Sequence, residues 1–411
     1  MSGFAARTDP AIGTHDRLSA RALVVGDTAL VVVDVLGIDA ACSERIRTRC
    51  CLPASNVVVA ALHTHGAPDA MPGRIGVDVD ADFLAGLETA CVAAIERARS
   101  ARRDCHLDCG RGQAIGIARN RRHADGTTDD AVPVLRFQAI DDGAVIAVLV
   151  GYACHPVVLG ADNLHYTADY PHTVRETLER AYPGSIALFV TGAAGDANSG
   201  HSARDSLDLA AVPTRTFAEA ARIGEIVARS ALRAPLSRSR SQRVTITDAQ
   251  VPLALRRREP VPLAGLVGEW RQRRRRAGHA TRALLGHWIR WAEEIALPDE
   301  QTGTVAGPTC RTARLRWGDA ALVCLPGEIF AATAHQLRQR LREPHAIVVG
   351  YADDNPGYLV PAAEFAHGGY ELDEAHRYYR LGATFADDSV ERLLTSLQPP
   401  VETGPDARPR H

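Results

Sequence analysis

Three times along this chain, a run of apolar residues ends at a side chain able to bind a metal ion. Asn56-Val-Val-Val-Ala-Ala-Leu62 runs into His63-Thr64-His65, and Ala144-Val-Ile-Ala-Val-Leu-Val150 continues through Gly151-Tyr-Ala-Cys154 into His155-Pro156. Ala320-Ala-Leu-Val-Cys-Leu325 leads into Pro326-Gly-Glu328. Short, unbroken apolar runs of this kind are the mark of strands buried on both faces, which belong to sheets covered by helices. Helical periodicity follows, with Phe83, Leu84, Leu87, Cys91 and Ile95 marking one face of residues 81–101. Further helices are expected at residues 171–182 and 329–341. The predicted fold class is therefore α/β, with mixed β-sheets covered by helices. In such folds, functional groups gather beyond the carboxyl ends of strands.

Other segments fill in this frame. Residues 22–25 and 30–35, joined by Gly26-Asp27, predict a β-hairpin, and residues 40–49 a short helix. A strand at 186–190 enters the small-residue turn Thr191-Gly-Ala-Ala-Gly-Asp196, where backbone can approach a site closely, and a helix is expected over 213–232. Strands are expected again at 312–315, 320–325 and 346–350. Between them, residues 237–299 are rich in arginine (Arg271, Arg273, Arg274, Arg275, Arg276) and carry a tryptophan-bearing helix at 287–295. This stretch reads as a helical insertion in a single domain spanning 1–396, and the Pro-rich residues 397–411 read as a flexible tail.

Composition matters chiefly for what it excludes. A net charge of -2 provides no field for holding a phosphate backbone, so the arginine run is read as a solvated helix face and nucleic acid is not expected as a partner. No apolar run approaches the ~20 residues a membrane span needs, and stable membrane insertion is not expected. The first twenty residues lack a signal-like apolar stretch, which predicts a cytoplasmic protein. Its nine scattered cysteines are then read as reduced thiols. Cys105-x3-Cys109 with His106 has no second cysteine pair at zinc-site spacing to complete it.

The chemistry rests on His63, His155 and Glu328. Catalytic zinc commonly takes three protein ligands drawn from His and carboxylate and keeps one position open. The triplet strengthens the case, because two imidazoles two residues apart project the same way from an extended segment. Asp169, Asp196 and Asp353 offer an alternative, a carboxylate site for magnesium, although capping turns or orienting histidines suits them better.

These residues also sit in an ordered series of motifs. Ala61-Leu-His-Thr-His-Gly-Ala-Pro68, Arg119-Asn-Arg121, Tyr152-Ala-Cys-His155-Pro156, Gly195-Asp196, Leu325-Pro-Gly-Glu328 and residues 358–371 together resemble the catalytic domain of the neutral/alkaline (non-lysosomal) ceramidase family. The resemblance runs over residues 13–371. It implies Zn2+ held by His63, His155, Glu328 and Tyr358, with His65, Arg121 and Tyr370 around the reacting carbonyl of an N-acyl amide. A zinc-activated water would attack that carbonyl, His65 would carry a proton to the leaving amine, and Arg121 and Tyr370 would donate to the oxyanion.

Three departures shape the expected substrate. Gly195-Asp-Ala-Asn198-Ser199 stands where the family has Gly-Asp-x-Ser-Pro, and Ala363-Glu364-Phe365 where it has Glu-Glu-Tyr. The sequence also stops soon after the tyrosine motif, without the family's C-terminal immunoglobulin-like domain. With aromatics at only 5%, a small or moderately sized, more polar N-acyl compound is expected rather than ceramide. The alternatives are a zinc esterase or lactonase and a non-catalytic zinc-binding protein of the same fold.

Overall fold

The computed structural model describes residues 1–398 apart from 76–77, 203–204, 206–208, 211, 302 and 344. The expected tail therefore lies outside the described residues, except for Leu397 and Gln398, which close the last helix.

The first sheet has three strands. β1 (Ala20–Val25) turns back through Gly26, whose φ of +54° suits the tight connection, into β2 (Thr28–Val33) as the expected hairpin. β3 (Val57–Ala61) then joins β2 in parallel, and β2 and β3 are buried at every position. Helix α1 (Ala40–Arg49) starts at Asp39, whose side chain accepts from Cys42 N at 2.7 Å, and α2 (Ala81–Ser100) starts at Asp80 in the same manner. Together with this sheet the two helices enclose Ile46, Leu87, Cys91 and Ile95.

A five-stranded sheet follows: β4 (Cys105–Gln113), β5 (Ala131–Ala139), β6 (Val145–Tyr152), β7 (Ile186–Thr191) and β8 (Leu236–Arg238), in the order β7-β6-β5-β4-β8. β6 and β7 are parallel because α3 (Tyr170–Ala181) carries the chain back between them. Helix α4 (Phe217–Leu232) packs on α3. It begins later than its apolar pattern suggested. The Thr216 side chain accepts from Glu219 N, and that cap sets the first turn.

The third sheet holds β9 (Val244–Arg256), β10 (Thr304–Trp317) and β11 (Ala320–Cys324). It is followed by the short β12 (Glu328–Ile329), a helix and β13 (Ile347–Val349), and β12 pairs in parallel with β14 (Tyr358–Leu359). β15 (Thr384–Phe385) completes the order β13-β11-β10-β9-β15. β9 corrects the expectation of a helical insertion across 237–299, since twelve of its thirteen residues pair along β10. Helix is confined there to α5 (Leu263–Arg276) and α6 (His279–Glu294). Apolar and polar residues alternate along β9, and burying one face of it is worth more than the helical preference of its arginine-rich surroundings. α5 and α6 form a hairpin with a small core of their own around Trp270, Leu285 and Trp288. Helices α7 (Ala331–Leu341) and α8 (Ser389–Ser396) cover the third sheet. Among the described residues, no helix is long and apolar enough to cross a membrane.

The first and third sheets are stitched together at Ala60 and Ala352 and by Asp353 N donating to Val59 O at 2.6 Å. That seam brings the carboxyl ends of β3 and β11 to one place, and Gly350 N donating to Thr191 O and Thr191 Oγ1 donating to Leu62 O bring in β7 with its parallel neighbour β6.

Candidate active site

His63 follows directly on β3. Its Nδ1 lies 2.6 Å from Leu36 O, a pairing that requires the proton on Nδ1 and leaves the lone pair on Nε2. His155, beyond β6, repeats the arrangement, with Nδ1 2.5 Å from Ala194 O. Both free Nε2 atoms turn toward one carboxylate oxygen. Glu328 Oε2 is 2.9 Å from His155 Nε2 and 3.5 Å from His63 Nε2, with all three side chains essentially sealed from solvent. A proton on one imidazole could satisfy only one of these contacts, and His63 Nε2 has no hydrogen-bond partner. Such a knot of buried electron-pair donors calls for a cation.

His65 stands beside it. One nitrogen from each of His63, His65 and His155 falls within a sphere of contacts no wider than 4.8 Å. Neither ring nitrogen of His65 has a partner or reaches solvent. Burial, reinforced by His63 and His155, holds its pKa well below the ordinary histidine range, so the ring is neutral at pH 7. Burial also lowers His155. At Glu328 burial works the other way, toward a raised pKa, and positive charge at the two histidines outweighs it, a charge that a bound cation would supply once both Nε2 atoms are lone pairs. Backbone strain accompanies the cluster: His63 has φ +69° and Tyr351, whose ring stacks on it at 4.0 Å, has φ +54°.

The pairing of β12 with β14 sets Tyr358 opposite Glu328. Arg121 reaches in from the short ladder of Arg119–Asn120 with Ala197–Asn198. Its Nη2 donates to Tyr358 OH and to Gly195 O, and its Nε to Glu371, each at 2.9 Å. Among the described residues Arg121 Nη1 is not hydrogen-bonded, and neither is the Tyr370 hydroxyl. Burial raises the phenols of Tyr358 and Tyr370 well above the ordinary tyrosine range, so both stay protonated. His65, His155, Glu328, Tyr358, Arg121 and Tyr370 line one cavity of about 680 Å³, roofed by Arg273, Leu284 and Trp288 of the α5–α6 hairpin. His63, His65, His155, Glu328, Tyr358, Arg121 and Tyr370, drawn from segments far apart in the chain, are thus brought together.

The three aspartates are not. Asp169 caps α3 and also accepts from Leu159 N, Asp196 accepts from Ala331 N at the start of α7, and Asp353 is bonded to Val59 N and Arg311. Asn198 uses its side chain to fold its own turn, accepting from Gly200 N and His201 N and donating to His201 O. Cys105 and Cys109 lie on β4 as free thiols.

Sequence reading missed the segment around Gly3. Phe4 packs on the His65 ring at 4.7 Å, and Gly3, at φ +99°, leaves so little room that a Cβ there would lie 2.3 Å from His65 Nδ1. Gly3→Ala should therefore displace His65 by about 1 Å and lower kcat/KM about 10²-fold, with some loss of melting temperature from the strained backbone. Wild-type kcat/KM in that variant would mean that His65 takes no part in the chemistry.

The fold is that of a solved neutral ceramidase from Pseudomonas aeruginosa, with a TM-score of 0.71 and 16% identity over 96% of this chain and 70% of that one. A solved ceramidase complexed with C2 is similar, with a TM-score of 0.72 and 16% identity over 96% of this chain and 71% of the other. No protein-family model and no curated protein matches the sequence.

Proposed function

We propose that this chain is a zinc-dependent hydrolase that cleaves the amide bond of a moderately sized N-acyl compound. The observation that carries this reading is the convergence of His63 Nε2 and His155 Nε2 on Glu328 Oε2 in a buried site. The ceramidases that share the fold favour an N-acyl amide as the target.

His63, His155 and Glu328 would hold the zinc, with Tyr358 as fourth donor. Bound there, zinc would supply Lewis acidity, which in such sites brings the pKa of water from 15.7 to about 7. The protein does the rest. Leu36 O and Ala194 O fix the tautomer and tilt of the two rings. His65 is neutral with a lone pair, so it can take a proton from the attacking water and return it to the departing nitrogen, which must be protonated to leave. The Tyr370 hydroxyl and Arg121 Nη1 face the same cavity, positioned to donate to the carbonyl oxygen as it gains charge. Glu371 and Gly195 O hold the guanidinium still, so little reorganisation is needed during reaction.

A cavity of about 680 Å³ is in the range for small-molecule sites and supports a substrate of moderate size. The test is elemental analysis of the purified protein together with rates on matched N-acyl amide and ester substrates. One zinc per chain and turnover of the amide are expected. Activity confined to esters, or a full rate in metal-free protein, would sink the proposal.

A further inference from the structure

Glu328 has a second oxygen, and something holds it. Tyr379 donates its hydroxyl to Glu328 Oε1 in a short hydrogen bond, deep in the structure with the ring only 5% exposed. A carboxylate on a flexible stem can present either oxygen over a range of angles. With Oε1 tied to Tyr379, only Oε2 is free to face His63 and His155.

The tyrosine is itself held from three sides. Gly357 at φ +116° has no side chain, and a Cβ there would come within 3.0 Å of the Tyr379 ring, so the ring lies flat on the backbone leading into β14. The edge of Tyr358 meets it at 6.2 Å between centroids. Two residues earlier, Arg377 enters the α5–α6 hairpin, with its guanidinium 4.9, 4.5 and 5.4 Å from the ring centres of Trp270, Trp288 and Trp291. Glu259 accepts from Arg377 at 3.3 Å, and its Oε1 lies 2.6 Å from His376 Nε2. Such cation–aromatic contacts become stronger as the cation is desolvated. A rigid connection thus runs from the tryptophan cluster of the hairpin, through Arg377 and the Tyr378-Tyr379 pair, to the carboxylate.

We propose that Tyr379 is a positioning residue that fixes the Glu328 carboxylate for metal binding, and that the α5–α6 hairpin sets its place through Arg377. The inference rests on the reading of Glu328 as a zinc ligand. Partners that orient a metal-ligating side chain are worth 10–100-fold in metal affinity or activity. A role in packing alone would leave zinc affinity untouched, since Tyr379→Phe keeps the ring and removes one oxygen.

The experiment compares zinc dissociation constants of wild type, Tyr379→Phe and Arg377→Lys by competition with a chromophoric chelator, alongside kcat and KM. A 10- to 100-fold weaker zinc affinity is expected for Tyr379→Phe, with kcat falling and KM nearly unchanged, and a smaller loss of the same kind for Arg377→Lys. Should Tyr379→Phe fail to fold, Arg377→Lys decides by the same readout. Wild-type zinc affinity in the folded variants overturns this proposal alone. A wild-type protein that takes up no zinc overturns the metal site as well.

Discussion

His63→Ala is expected to lower amide turnover by on the order of 10³ or more and to empty the metal site after dialysis, because the activation a metal supplies is worth several kcal/mol. The lost imidazole is one of two whose Nε2 atoms meet Glu328 Oε2. His65 is near, but Phe4 and Gly3 wedge it in its own position. Stripping wild-type protein with a chelator should cause the same drop, and added zinc should restore the wild type but not the variant. Some loss of stability will accompany the change, since the His63 ring stacks on Tyr351. The metal readout separates that loss from the chemistry. Full turnover by stripped wild-type protein would end the metal hypothesis.

Tyr370→Phe should lower kcat by about 10²–10³ with KM shifted only a few-fold, the pattern of a donor that acts on charge developing in the transition state. The prediction is clean because the Tyr370 hydroxyl has no protein partner among the described residues. Its ring contacts with Tyr358 at 5.8 Å and Tyr378 at 6.4 Å survive in phenylalanine. Arg121 does not offer so clear a test. Its loss would leave Glu371 with Arg122 as its remaining guanidinium partner and take a donor from the buried Tyr358 hydroxyl, and disrupting such a buried network costs stability as well as activity. Equal and small changes in kcat and KM for Tyr370→Phe would make it a wall of the cavity and nothing more.

The parts of the fold that could be read from sequence share one property: their signal is local. β3, β6, β7 and β11 are unbroken apolar runs, and α2 announces itself by periodicity. β4, β5 and β9 escaped notice because each has one face toward solvent, so that Arg111, Arg136 and Thr247 interrupt the apolar pattern. In β9 the pairing also shifts register between Pro252 and Ala254. Proline is tolerated in a strand at such an irregularity but argues against a strand when read alone. Tyr379 left one faint trace, the Tyr378-Tyr379 pair in a chain with only nine tyrosines. Nothing marked Gly3, because its requirement for glycine comes from a histidine more than sixty residues away.

The sequence by itself determined which donors the site can offer. Imidazole, carboxylate and phenol are properties of the residue, and a histidine that ends a buried strand is placed by local chain geometry. Only the tertiary structure decided how they meet. The 172 residues between His155 and Glu328 are spanned by contacts of the turn after β7 with the third sheet's segments, where Gly195 N donates to Ile329 O and Gly350 N to Thr191 O, and no local signal sets that distance. The division of labour within His63-Thr64-His65 has the same origin. The carbonyl of Leu36 takes the proton side of one ring and turns its lone pair toward Glu328, while Phe4 and Gly3 hold the other ring without any hydrogen bond. Two chemically identical side chains thus receive different tasks from the partners that folding brings to them.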